Sequence, residues 1–255
     1  MKNPALNIAA FAVITLFTSC EDKKKQTTPN LVVAEIVTEG VPEKVTGHLY
    51  VTAASGLSLR EYNNLNSKKL AVMPYGTKVE VLLAEKNKTM NISGISGGMH
   101  QVAYNNKIGY AFSGYLSELF PPERGANAKR YVSDLQNTHP RAALSALVGG
   151  TASEPSNTET LLIPTTKWHE AYLIAQKLYE IPRSFALPEP NGKEEEVLNN
   201  PNKSINTLVS ELQVIRIENA LLKILFTHAS QSFRRTVSIT QQDSMMKIEE
   251  VRVVH

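Results

Sequence analysis

Gly56-Leu57-Ser58-Leu59-Arg60 opens the stretch, ending near Leu116, whose reading decides the fold. Leu57 and Leu59 face one way and Ser58 and Arg60 the other, the period-two spacing of a half-buried strand. Asn63-Asn64-Leu65-Asn66-Ser67 supplies a turn-prone polar loop, and Lys69-Leu70-Ala71-Val72-Met73 resumes an apolar segment that Pro74 ends by withholding a backbone donor. Tyr75-Gly76-Thr77 then turns the chain into Lys78-Val79-Glu80-Val81-Leu82, which alternates again. Gln101-Val102-Ala103-Tyr104 follows a glycine-rich loop. Asn105-Asn106 sits where a tight hairpin needs residues that tolerate positive φ, and Gly109-Tyr110-Ala111-Phe112 returns. Short strands at this spacing predict a small closed or nearly closed β-barrel.

The order Gly-Leu-Ser-Leu-Arg, Pro-Tyr-Gly-Thr-Lys-Val-Glu-Val, Val-Ala-Tyr-Asn-Asn-Lys-Ile-Gly-Tyr-Ala-Phe and Gly-Tyr-Leu resembles the bacterial SH3-type domain over Val45 to Leu119. The family often carries a Trp just before the strand that reads Gln101-Val102 here, and this chain has Met99 there. The resemblance implies an SH3-like barrel that docks on cell-wall peptidoglycan or its stem peptides.

Outward from the barrel, Lys2 precedes an apolar run, Ile8 to Phe17, too short to cross a bilayer and suited to an export signal. Phe17-Thr18-Ser19-Cys20 resembles a bacterial lipobox, which makes residues 1–19 a signal peptide and Cys20 a lipidated first residue of the mature chain. Acylation buries methylenes, and more than one chain gives stable attachment to a membrane. Glu21-Asp22 directly after the cysteine resembles the surface-export signals of some Bacteroidetes lipoproteins, and the expected location is the outer membrane. Residues 20–44 read as a tether. Within it, Leu31 to Val37 is either an extra edge strand or a loosely packed lead-in, whereas His48-Leu49-Tyr50-Val51 fits the first barrel strand.

Cys20 is the only cysteine, so its modification leaves no thiol for disulfides, metal ligation or nucleophilic catalysis. The 27 Lys and Arg residues against 24 Asp and Glu lack the basic excess of a nucleic-acid-binding protein.

Pro121-Pro122 closes the barrel (45–120), residues 121–128 link, and residues 129–255 form a second domain. There, Ala142 to Val148 after Pro140 reads as a short helix capped by Gly149-Gly150, and Thr151 to Thr160 as a polar loop. Trp168, Ala171, Tyr172, Ala175, Leu178 and Tyr179 recur at helical spacing, with Thr166 placed to cap that helix and Pro182 to stop it. Their aromatic stripe is the kind that packs a helix on a sheet. Gly192 to Lys203, with Glu194-Glu195-Glu196, reads as a solvated loop. Leu212, Val214 and Ile217, then Leu222, Ile224 and Phe226, then Phe233, Val237 and Ile239 predict three strands, turning at Glu218-Asn219 and at Gln241 to Ser244. Ile248 and Val251 differ in parity, so the last segment carries a bulge or shifts faces before Val253. The fold class is therefore mainly β: a small SH3-like β-barrel followed by an α+β domain, a helix packed on antiparallel strands.

No catalytic or cofactor-binding constellation is legible. His48, His100, His139, His169, His228 and His255 are scattered, and no pair has the helical spacing of a zinc site. His169 and Glu170 are adjacent, point apart on a helix and read as solvated. Ser145 lacks a nucleophile-elbow setting, and Gly97-Gly98 lacks the partners of a phosphate loop. Binding is the expected activity. Tyr62 and Tyr75, near loops, are the exposed aromatic candidates; Tyr115 joins them, and Arg60 is placed to hold a carboxylate. Tyr110 and Phe112 share a parity and point inward. Two functions follow: a lipid-anchored envelope protein that binds peptidoglycan, or an envelope adaptor that binds a protein partner at an exposed sheet edge. An enzyme in the second domain ranks last.

Overall fold

The period-two stretches bury one face by pairing into sheets, some with their neighbours in sequence and others across longer connections. In the computed structural model of the protein, which describes residues 47–255, they form β1 (Gly47–Val51), β2 (Leu57–Arg60), β3 (Lys69–Met73), β4 (Lys78–Leu83), β5 (Met90–Ile92), β6 (Ile95–Gly97), β7 (Met99–Tyr104), β8 (Lys107–Phe112) and β9 (Leu116–Ser117). Seven of these make an antiparallel sheet in the order β3-β2-β8-β7-β4-β1-β9, and β5 pairs with β6 as a separate hairpin. That hairpin occupies what reads in sequence as part of a glycine-rich loop. Asn105 and Asn106 join β7 to β8 at φ 46° and 59°, the left-handed conformation that asparagine tolerates. Leu57, Leu59, Val79, Val81, Val102 and Phe112 are buried together as one core, with Tyr110 packed against it.

A second sheet follows: α1 (Ala128–Gln136), β10 (Ala143–Gly150), β11 (Pro155–Ile163), α2 (Trp168–Leu178), β12 (Glu195–Asn199), β13 (Val209–Ile217), β14 (Ala220–Ala229), β15 (Phe233–Gln242) and β16 (Met245–Val254). Its seven antiparallel strands run β10-β11-β16-β15-β14-β13-β12. The α2 stripe of Ala171, Tyr172 and Ala175 is buried against β15 and β16, while α1 packs on β10. Leu161, Ile163, Leu212, Ile224, Phe226 and Ile239 are buried in the same core, each worth about 2 kcal/mol relative to exposure. The described residues are thus mainly β, with two seven-stranded sheets, the small β5–β6 hairpin, two hydrophobic cores and helices on the second. Leu187 packs against both cores.

Several expectations for the second half need correction. Ala143 to Gly150 is strand β10, not a helix, because it pairs residue for residue with β11, so the expected polar loop is confined to Thr151 to Glu154 and Pro155 to Thr160 are strand. Backbone pairing here overrides the local helix preference of Ala and Leu. Gly150, at φ +86°, serves the hairpin rather than a helix end; a Cβ there would lie 2.2 Å from the Glu154 carbonyl oxygen. Helix α1 gave no recognised signal, yet Asn127 caps it by accepting a hydrogen bond from the Arg130 amide at 2.8 Å. The residue preceding α2 is Lys167, with no side-chain cap bond from it, so Thr166 does not cap that helix. The Glu194 to Glu196 run enters edge strand β12 rather than a loop. Strand β16 pairs on both sides without a register shift; Val251 simply lies on the face opposite Ile248. The bulge sits instead between Ile215 and Arg216 of β13. Cys20, the signal peptide, the tether and Leu31 to Val37 lie outside the described residues.

Candidate functional site

The sequence-predicted binding residues fall into three environments. Arg60, at the end of β2, and Tyr115, in the short 3-10 turn Ser113–Tyr115, line one cavity of about 470 Å³. The Arg60 Nη1 donates to the Ser67 carbonyl at 2.7 Å, which fixes the guanidinium against the 63–67 loop. The Tyr115 ring meets Phe112 edge to face at 5.9 Å. Leu57, Leu65, Ile92 and Met99 form apolar walls of this cavity. Tyr62 is 59% exposed on the outer loop and lines neither this cavity nor the next.

Tyr75 is not an exposed aromatic. Its ring is half-buried at the junction of the two sheets, where its hydroxyl donates to the Pro122 carbonyl at 2.9 Å. Lys177 of α2 places Nζ 4.8 Å from the ring centroid, a cation–π contact. Burial pushes the Tyr75 phenol up to about 12, with the Arg183 charge pulling the other way. Tyr75 lines a second cavity of about 280 Å³ with Leu119, Pro122, Leu173, Ile174 and Lys177. Ala54, Leu173 and Arg183 line both cavities, so the two adjoin and α2 contributes to each. Leu173, Lys177 and Arg183 carry no signal in the sequence; they lie off the buried stripe of α2 or just beyond its end, and only the packing of the two sheets brings them to the residues of the first sheet.

His169 and Glu170 are likewise not a solvated pair. Glu170 is buried, accepting from the Thr165 hydroxyl at 2.5 Å and from Lys167 Nζ at 3.0 Å. His169 lines a third cleft with His100, between β7 and the start of α2. The His100 Nδ1 accepts from the Glu85 amide at 3.0 Å, so the neutral ring carries its proton on Nε2. Burial holds both imidazoles below the usual histidine range; Glu85 opposes this for His100 and Glu170 for His169. Among the described residues, no three His, Cys, Asp or Glu side chains gather as a metal site, and no helix is long and apolar enough to cross a membrane.

The adjoining cavities combine apolar walls with tyrosine side chains and guanidinium groups, and a guanidinium can take a carboxylate in a pair of hydrogen bonds. No protein-family model matches this chain, and no curated protein or solved structure shows a significant match to it.

Proposed function

We propose that this protein is an outer-membrane lipoprotein, anchored through Cys20, whose front sheet is an SH3-like module that binds peptidoglycan through its stem peptides. The observation carrying this reading is the cavity beside β2, where Arg60 and Tyr115 stand together over apolar walls. A stem peptide offers carboxylates to a guanidinium and short aliphatic side chains to Leu57, Leu65 and Met99. The Asn105-Asn106 hairpin joining β7 to β8 supports this reading. The test is retention on purified sacculi of the chain, of Arg60→Ala with Tyr115→Ala, and of Tyr62→Ala. Loss in the first variant with retention in the second supports the cavity; equal retention in all three removes it.

A second reading, an envelope adaptor, draws on β10. This outermost strand exposes Leu147 at 70% and Val148 at 82% and carries neither charge nor proline over Ala143 to Gly150. The opposite edge, β12, carries Glu195 and Glu196, and β3 starts with Lys69. Natural edges are usually protected by such charges, and an unprotected one accepts a partner strand. An envelope protein that co-purifies with the chain and is lost on Leu147→Lys favours this reading.

A further inference from the structure

The junction cavity holds more positive charge than its surroundings neutralise. Arg124, Lys177 and Arg183 all line it. None of the three has an ion pair or hydrogen bond with another described residue, and Lys177 has only the Tyr75 ring beneath it. The two carboxylates on the same lining are engaged elsewhere: Glu170 by Thr165 and Lys167, and Glu180 by Arg235 at 3.7 Å. Burial first, then the Arg183 and Arg124 charges, hold the Lys177 ammonium below the usual lysine range, so Lys177 feels both guanidinium charges. Surface cations normally spread apart or pair. Here they gather around a cavity whose walls, Leu119, Pro121, Leu173, Ile174 and Ile181, are apolar.

We infer that this junction cavity is a second binding site, one that takes a peptide segment carrying two carboxylates separated by an aliphatic side chain. The carboxylates pair with Arg183 and with Lys177 or Arg124, while the aliphatic group covers Leu173 and Ile174. An organic dianion is favoured over inorganic phosphate because the apolar walls contribute only when the ligand brings a hydrocarbon surface. The site adjoins the Arg60 cavity and shares Leu173 and Arg183 with it, but Arg124 and Lys177 line the junction cavity alone, and peptide binding there does not depend on wall binding.

The test uses the full chain in mild detergent and titrates acetyl-Glu-Leu-Glu amide by calorimetry at moderate salt. Saturable binding is expected, weakened at least tenfold for acetyl-Gln-Leu-Gln amide and equally for the Lys177→Gln, Arg183→Gln double variant. Lys177→Arg, which keeps the charge, retains binding, as does Arg130→Gln, whose partners are Glu123 and Asp134 outside the cavity. The exposed position of Arg183 lets the double variant fold, which an unchanged urea midpoint verifies; should the midpoint fall, Arg183→Gln alone carries the comparison. Absence of saturable binding, equal binding of the neutral peptide, or an unaffected charge-removal variant overturns the inference. So does displacement by inorganic phosphate at or below the peptide concentration, which identifies a phosphate site instead. Sacculus retention unaltered by Lys177→Gln, a position that lines the junction cavity and not the Arg60 cavity, separates the two sites.

Discussion

Lys177 Nζ stands 4.8 Å from the centroid of the Tyr75 ring, so a helix of the second sheet is tied to the turn that follows β3 of the first. The same tyrosine donates to the Pro122 carbonyl, 47 residues along the chain. One side chain therefore joins the front sheet, the connecting segment and α2, and it does so on the lining of the junction cavity.

Tyr75→Phe keeps the ring under Lys177 but leaves the buried Pro122 carbonyl without its donor. The expected cost is about 1 kcal/mol in urea unfolding. The substitution also changes alkaline behaviour. Burial raises the Tyr75 phenol above its unfolded value of 10, so the stability it contributes is complete below pH 10 and lost as pH rises toward 12. Tyr131, Tyr172 and Tyr179 are shifted the same way by burial. The wild type thus loses stability above pH 10, and the variant loses it less steeply. Parallel slopes contradict the placement of Tyr75.

Acid acts on the third cleft with the opposite sign. His100 and His169 titrate below their unfolded value of 6.5, chiefly through burial, so the unfolded chain binds protons first. Their contribution is complete above pH 6.5 and is lost as pH falls below it. His100→Gln with His169→Gln is expected to flatten the unfolding midpoint between pH 6.5 and 5, measured by thermal denaturation against the wild type.

Arg216 holds the edge of the second sheet. It is 4% exposed and donates to the Glu189 carbonyl through Nε and to the Lys193 carbonyl through Nη1, both at 2.9 Å, and to Glu196 through Nη2 at 3.0 Å. Arg216→Ala strips three acceptors at once and is expected to cost about 3 kcal/mol. Arg216→Lys recovers little, because an ammonium cannot span the three directions of the guanidinium. Limited proteolysis reads the same event locally: cleavage between Glu189 and Lys193 accelerates in both variants.

Edge strand β10 makes a separate prediction. Leu147→Lys removes an exposed apolar side chain without opening a cavity, so the unfolding free energy changes by less than about 0.5 kcal/mol. Association through that edge weakens nonetheless, because a lysine there opposes strand addition. Sedimentation velocity at high protein concentration checks this; unchanged association together with unchanged partner capture counts against the adaptor reading.

Local alternation made the front sheet legible: Leu57 and Leu59, Val79 and Val81, and the Asn105-Asn106 turn each follow from period two and turn chemistry. The α2 stripe was legible for the same reason at helical spacing. Strand β10 was not, since Ala-Leu-Ser-Ala-Leu suits either conformation and the partner strand β11 decides. Arg60 and Tyr115 could be nominated from chemistry and prove to share a cavity. Tyr75 was misplaced because loop position says nothing about the α2 residues that cover it, and Lys177 and Arg183 reach the cavity only through packing between segments about 100 residues apart in sequence.

The most direct test of the wall-binding proposal is co-sedimentation of the chain with purified peptidoglycan sacculi at 0.5 M salt, where nonspecific charge attraction is screened within about 4 Å. The account predicts saturable retention that falls at least tenfold in Arg60→Ala with Tyr115→Ala while the unfolding midpoint stays near that of the wild type. A chain that stays in the supernatant at every sacculus concentration contradicts it and leaves the envelope adaptor as the better account.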